Sequence, residues 1–150
     1  MSNMRINAYL KESPMFAVSR AARRFDALAT RALAADELSF LEGLILAAIF
    51  FEAPRRIKPS ELAETFGTTR ANVSHIVSAL EAKGLLLREI DASDARAYLL
   101  ALKPSGRRCA LRVIQIFDSL QDAFEKEAGK RALGEAIRLV KSLEQLSDSL

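Results

Sequence analysis

The sequence holds one cysteine, one histidine and no tryptophan in 150 residues. One cysteine excludes a disulfide framework and any cysteine-rich zinc site. One histidine excludes the paired-histidine metal motifs, so no metal and no cofactor is expected. The six glycines are scattered as caps and turns, without a loop built to cradle phosphate. No paired-carboxylate site and no nucleophile–base pair stands out, which argues against an enzyme. The start, MSNMRINAYLKES, has no apolar run and does not read as a secretory signal. The apolar stretch FLEGLILAAIFF, residues 40–51, is too short for a bilayer, which needs about 20 residues. A free thiol without a signal points to a reducing cytoplasm and to no membrane partner.

A large charge excess is also missing, since the formal net charge is only +3. Its distribution is more telling. Residues 1–53 carry six Lys+Arg and six Asp+Glu, residues 54–109 carry ten and six, and residues 110–150 carry six and seven. The excess lies in the middle third, which suits a polyanion site or, more simply, a solvated basic face. Half the residues are hydrophobic and 27% are charged, enough for one domain with a proper core.

The spacing of Phe16, Ala17, Ala21, Phe25, Leu28 and Ala32 predicts a helix over residues 15–33, opened by Ser13-Pro14. Residues 40–51 read as a buried helix, with Ser39 as N-cap and Glu42 as its capping-box partner. Ser60 is placed to cap a short helix that Gly67 ends, and Thr69 to cap a second helix that Gly84 closes. Val73, Ile76, Val77 and Leu80 form the inward stripe of that second helix. The runs LLLREI and AYLLAL flank the polar hexapeptide DASDAR and predict a hairpin with a projecting loop. A long helix follows from Pro104 or Ser105, Gly129 breaks it, and a last helix runs to about residue 147. The expected fold class is mainly α with a small β-hairpin, in the order of a winged helix-turn-helix.

The outward positions of the second helix between residues 69 and 78 are Thr69, Arg70, Ala71, Asn72, Ser74, His75 and Ser78. None is acidic, which suits a face presented to nucleic acid. Arginine is the commonest reader of guanine and asparagine pairs with adenine, so Arg70 and Asn72 are candidate base readers. As residues of an ordinary surface helix they would be unremarkable caps.

The segment from Lys58 to Gly106 resembles the MarR family of winged helix-turn-helix transcriptional regulators. The motifs are SELAETFGTTRANVSHIVSALEAKGLLLRE, the wing element Asp94-Ala95-Arg96, and the step Leu102-Lys103-Pro104-Ser105-Gly106 into a long helix. Lys103 stands where threonine is usual, Ala95 where a second arginine is frequent, and Ile90 where proline is common. The resemblance implies one domain over 1–150, with residues 54–103 as the winged DNA-binding part and 1–35 with 104–150 as helical dimerisation parts. It implies a homodimeric repressor on double-stranded DNA with a pseudo-palindromic operator, released by a small-molecule effector. By the same resemblance Ser74 and His75 face the groove or backbone beside Arg70, Ala71 and Asn72, while Thr69, besides capping the helix, and Ser60, at the start of the preceding helix, are placed to touch phosphate. Arg96 enters the minor groove with Asp94 holding its guanidinium, and Arg88 adds charge at the wing base.

The last helix is apolar on two adjacent faces, which burial in a second subunit or packing on its own long helix would explain. Phe16, Phe25, Phe40, Phe50 and Phe51 are expected in the core, or lining a ligand cleft. Cys109, between basic neighbours, is either a redox-active thiol or a small core residue. Two other functions stay open, a winged module that binds protein and a ligand-independent architectural DNA binder.

Overall fold

The structure is a computed structural model that describes residues 4–150. Among the described residues, seven helices and one hairpin follow in the order α1 (Ile6–Leu10), α2 (Pro14–Ala32), α3 (Phe40–Glu52), α4 (Pro59–Thr65), α5 (Arg70–Ala82), β1 (Leu86–Asp91), β2 (Asp94–Leu102), α6 (Pro104–Ala128) and α7 (Lys130–Asp148). A single 3₁₀ turn, Ala34–Asp36, separates α2 from α3. The chain divides into two compact units, Ala29–Phe117 and the terminal pieces Met1–Leu28 with Asp118–Leu150.

The central unit owns the hydrophobic core. Leu33, Ile45, Leu46, Val73, Val77, Leu80, Leu86, Leu100 and Val113 are fully buried there. The predicted inward stripe of α5 is all buried, with Ile76 the most accessible at 8%. β1 and β2 pair antiparallel, Leu86 opposite Leu102 and Arg88 opposite Leu100. Ile57 adds a short third rung, accepting the Leu100 amide at 2.9 Å. In the terminal unit no described residue is buried. Phe25 and Phe124 meet there edge to face at 5.7 Å. On α7, Ile137, Leu139, Val140 and Leu146 are all exposed.

Local chemistry explains most helix ends. The Ser39 hydroxyl accepts the Glu42 amide at 3.2 Å and the Glu42 carboxylate accepts the Ser39 amide at 2.7 Å, which is the expected capping box. The Ser13 hydroxyl accepts the Phe16 amide at 3.2 Å where α2 opens. Gly67, Gly84 and Gly129 have φ of +61°, +73° and +84°, a region that other residues enter at a cost.

Four expectations need correction. Ser60 does not cap α4, whose N-cap is Lys58. Pro59 supplies the first helical position without an amide to satisfy, and the Glu61 carboxylate reaches back to the Lys58 amide at 2.7 Å. The hairpin has almost no projecting loop, because β1 runs to Asp91 and β2 starts at Asp94. A register irregularity after Ile90, which faces Tyr98, absorbs the three extra residues of β2. Phe25 and Phe51 are not core residues, being 51% and 69% exposed. Phe51 lies in the last turn of α3, where its ring only edges Phe50 at 6.0 Å. The helix Ile6–Leu10 and the 3₁₀ turn have no counterpart in the sequence reading.

Candidate nucleic-acid interface

The turn between α4 and α5 is four residues, Phe66–Thr69, and it sets the angle of α5. The Thr69 hydroxyl accepts the Asn72 amide at 3.1 Å, so Thr69 caps α5 as expected. Arg70, Ala71, Asn72 and His75 are exposed on the first two turns, and Ser74 is half-buried between them. No carboxylate stands on α5 before Glu81. The Asn72 amide nitrogen donates to the Thr68 hydroxyl at 2.9 Å. A bidentate contact to adenine therefore requires exchange of that bond.

The wing sits beside this helix. The Asp91 carboxylate accepts the Ser93 amide at 3.0 Å and the Ser93 hydroxyl at 2.7 Å. The Ser93 hydroxyl, its amide and then Lys58, 3.3 Å away, hold the Asp91 carboxyl below its ordinary value. Asp91 thus builds the two-residue tip, a role missed in the sequence although an Asp two residues before Ser is a common turn signal. Asp94 acts differently from the expectation. Its carboxylate accepts the Arg96 backbone amide at 3.0 Å, and no ion pair joins it to the Arg96 guanidinium among the described residues. Strand geometry explains this, since the short Asp side chain reaches the amide two residues on while the long Arg96 side chain projects to solvent.

Half of the ten cations in residues 54–109 are paired with carboxylates. Arg55 pairs with Glu52 and Glu61, Arg56 with Glu89, Lys58 with Asp91, Lys83 with Glu42 and Arg88 with Glu81. Arg70, Arg96, Lys103, Arg107 and Arg108 have no ion pair among the described residues. The unpaired positive charge therefore collects on the start of α5, the wing and the start of α6. Arg107 lies over the Phe50 ring at 5.4 Å. Ser60 is half-buried in the first turn of α4.

Gly106 locks α6 against the wing base. A Cβ there would fall on the Leu85 carbonyl oxygen, with the Leu85 carbonyl carbon 2.8 Å away. The Lys103 amide donates to that same oxygen at 3.0 Å, and the Ser105 hydroxyl donates to the Gly84 carbonyl at 2.7 Å. The Leu-x-x-x-Gly step is thus a close backbone crossing. Cys109, in the second turn of α6, is 2% exposed. Burial and then the Asp36 charge push its thiol above the ordinary value, which suits a core residue and opposes thiolate chemistry.

Residues 44–98 match the MarR family model. Over those residues the chain is similar to the winged helix of the MarR family. Over 87 residues it is 29% identical to a putative transcriptional regulatory protein for the hcr operon of Thauera aromatica. That match takes in 58% of this chain and spans about half, 52%, of the relative's length. The fold is similar to that of MepR from S. aureus in its DNA complex, with TM-score 0.79 and 19% identity over 91% of this chain and 98% of that one. It is also similar to the transcriptional repressor CouR bound to a 23-mer DNA duplex, with TM-score 0.77 and 25% identity over 97% and 99%. CouR bound to p-coumaroyl-CoA gives 0.80 and 21% over 96% and 98%. The MarR-type fold accordingly extends over nearly the whole chain, well beyond residues 44–98.

Proposed function

We propose that this MarR-type chain is a sequence-specific, double-stranded DNA-binding transcriptional regulator and not an enzyme. One observation carries the reading. The exposed first half of α5 is free of carboxylates and stands beside a wing whose Arg96 is unpaired. Arg70 and Asn72 read base edges in the major groove, with Thr69, Ala71, Ser74 and His75 against bases or backbone. Ser60 donates to phosphate, and Arg96, beside the tip that Asp91 builds and with its amide held by Asp94, enters the minor groove. Residues 54–103 form this DNA-binding part.

The regulator acts as a homodimer through residues 1–35 and 104–150. Support comes from the exposed apolar side chains of α7 and from a terminal unit without a buried residue among those described. Two winged parts then address half-sites about one helical turn, roughly 34 Å, apart on a pseudo-palindromic operator. The chain acts as a repressor in the cytoplasm; among the described residues no helix is long and apolar enough to cross a membrane. Release by a small-molecule effector follows the precedent of CouR, which is known both with DNA and with p-coumaroyl-CoA.

Binding measured against salt tests the reading. Log affinity falls steeply with log salt if phosphates are neutralised. A flat dependence would favour a protein partner for the winged surface.

A further inference from the structure

Alternation along β1 puts Leu86, Arg88 and Ile90 on one face of the hairpin. Leu86 is fully buried and Ile90 is 79% exposed, so Arg88 stands where this face leaves the core. Its cross-strand neighbour, Leu100, is fully buried. An arginine in that position must find polar partners or remain poorly solvated. It finds them in part on α5, where Ser78 and Glu81 lie one turn apart on the same side, while its Nε stays buried without a hydrogen-bond partner among the described residues. Arg88 Nη2 donates to Ser78 Oγ at 2.6 Å. Arg88 Nε lies 3.6 Å from Glu81 Oε2, within ion-pair range and beyond hydrogen-bond range. The guanidinium also sits over the Tyr98 ring of β2, 4.8 Å from its centroid. One side chain therefore ties the DNA-facing helix to both strands of the wing.

We propose that Arg88 is a positioning residue that fixes the wing relative to α5, and that it does not contact DNA. The assignment rests on the DNA-binding reading above and replaces the sequence expectation that Arg88 lends its charge to DNA. A phosphate placed at this guanidinium would also meet the Glu81 carboxylate, whereas Arg70 and Arg96 have no ion pair among the described residues. The helix and the wing read different grooves, so their spacing has to match the spacing of the grooves. A planar fork held on a hydroxyl, a carboxylate and a ring fixes that spacing, and a lysine ammonium does not reproduce it.

Salt-dependent binding separates positioning from contact. Wild type, Arg88→Met, Arg88→Lys, Ser78→Ala and the Arg88→Met/Ser78→Ala pair are compared on a duplex selected by the wild type. Urea unfolding of each variant verifies that it is folded. Arg88→Met and Arg88→Lys are each expected to weaken binding about tenfold, with the slope of log affinity against log salt unchanged. Ser78→Ala, a surface change that spares the core, is expected to weaken binding less and to add nothing to Arg88→Met. A slope lowered by about 0.9 for each copy of Arg88 would make it a phosphate contact and overturn the proposal. Wild-type affinity in Arg88→Lys, or multiplying losses in the pair, would also overturn it. Failure of the wild type to select any duplex would instead remove the DNA-binding reading itself, and the assignment with it.

Discussion

Replacing Gly106 with alanine tests the close crossing between α6 and the wing base. The added methyl would fall on the Leu85 carbonyl oxygen and lie 2.8 Å from its carbon and 3.3 Å from its Cα. Carbon atoms in contact prefer about 3.5–4.0 Å, so the two backbones must part by roughly 1 Å. The obstacle is main chain, and no rotamer change relieves it. Overpacking of this kind costs about 1–3 kcal/mol. The Lys103 amide bond to the Leu85 oxygen, 3.0 Å long, is stretched or lost at a further ~1 kcal/mol. Better helix propensity returns at most about 1 kcal/mol. A net loss of about 1–3 kcal/mol is expected. With a urea m-value of about 2 kcal/mol/M, the unfolding midpoint falls by roughly 0.5–1.5 M. Gly134→Ala is the matched control. Its Cβ would meet only the end of the Arg138 side chain at 3.7 Å, so it should raise stability by up to ~1 kcal/mol. A Gly106→Ala midpoint within about 0.3 M of wild type would refute the steric argument.

Other perturbations address the groove contacts, the acid limb of stability and the dimer. Arg70→Ala should cost about 1–3 kcal/mol of specific binding and blur preference at one base position, while Arg96→Ala should weaken all sequences more evenly; competition assays on single-base variants distinguish the two, and unchanged specificity in Arg70→Ala would place the helix in the wrong register. The Arg112 guanidinium, 2.5 Å from the Asp36 carboxylate, holds that carboxyl below its ordinary value. This contribution is fully present above the unfolded value of about 3.9 and is lost as pH falls through the lower folded value. Asp36→Asn should therefore be less stable than wild type at neutral pH, with the gap closing below about pH 4 in urea titrations. A gap constant down to pH 2 would contradict the ion-pair account. Leu139→Lys, on the exposed apolar face of α7, should convert a sedimenting dimer to monomer while leaving the central unit folded. A wild-type chain that sediments as a monomer at all concentrations would remove the two-half-site argument.

Local chemistry was legible wherever a short stretch of sequence decides it. Ser39 with Glu42 and Thr69 with Asn72 cap their helices because each cap lies within one turn. The α5 stripe was legible because burial repeats every 3.6 residues. Ser60 was misread because a hydroxyl cap and a Pro–Glu cap compete within two positions, and Pro59 with Glu61 wins. The exposure of Phe25 and Phe51 escaped because periodicity marks an apolar face without saying whether this protomer covers it. The ties of Arg88 to Ser78, and of Lys83 to Glu42, 41 residues away, depend on how elements pack, which no local pattern encodes. The same applies to the basic centre, where five of ten cations are paired by carboxylates. The other five include Arg70 and Arg96, and on the proposed reading DNA affinity comes from two copies of this surface placed by symmetry.

Selection of bound duplexes from random DNA by the purified chain tests this most directly. The account predicts an enriched inverted repeat with half-sites about 10–10.5 base pairs apart, centre to centre. Recovery of unpatterned DNA, or of single half-sites alone, would contradict it.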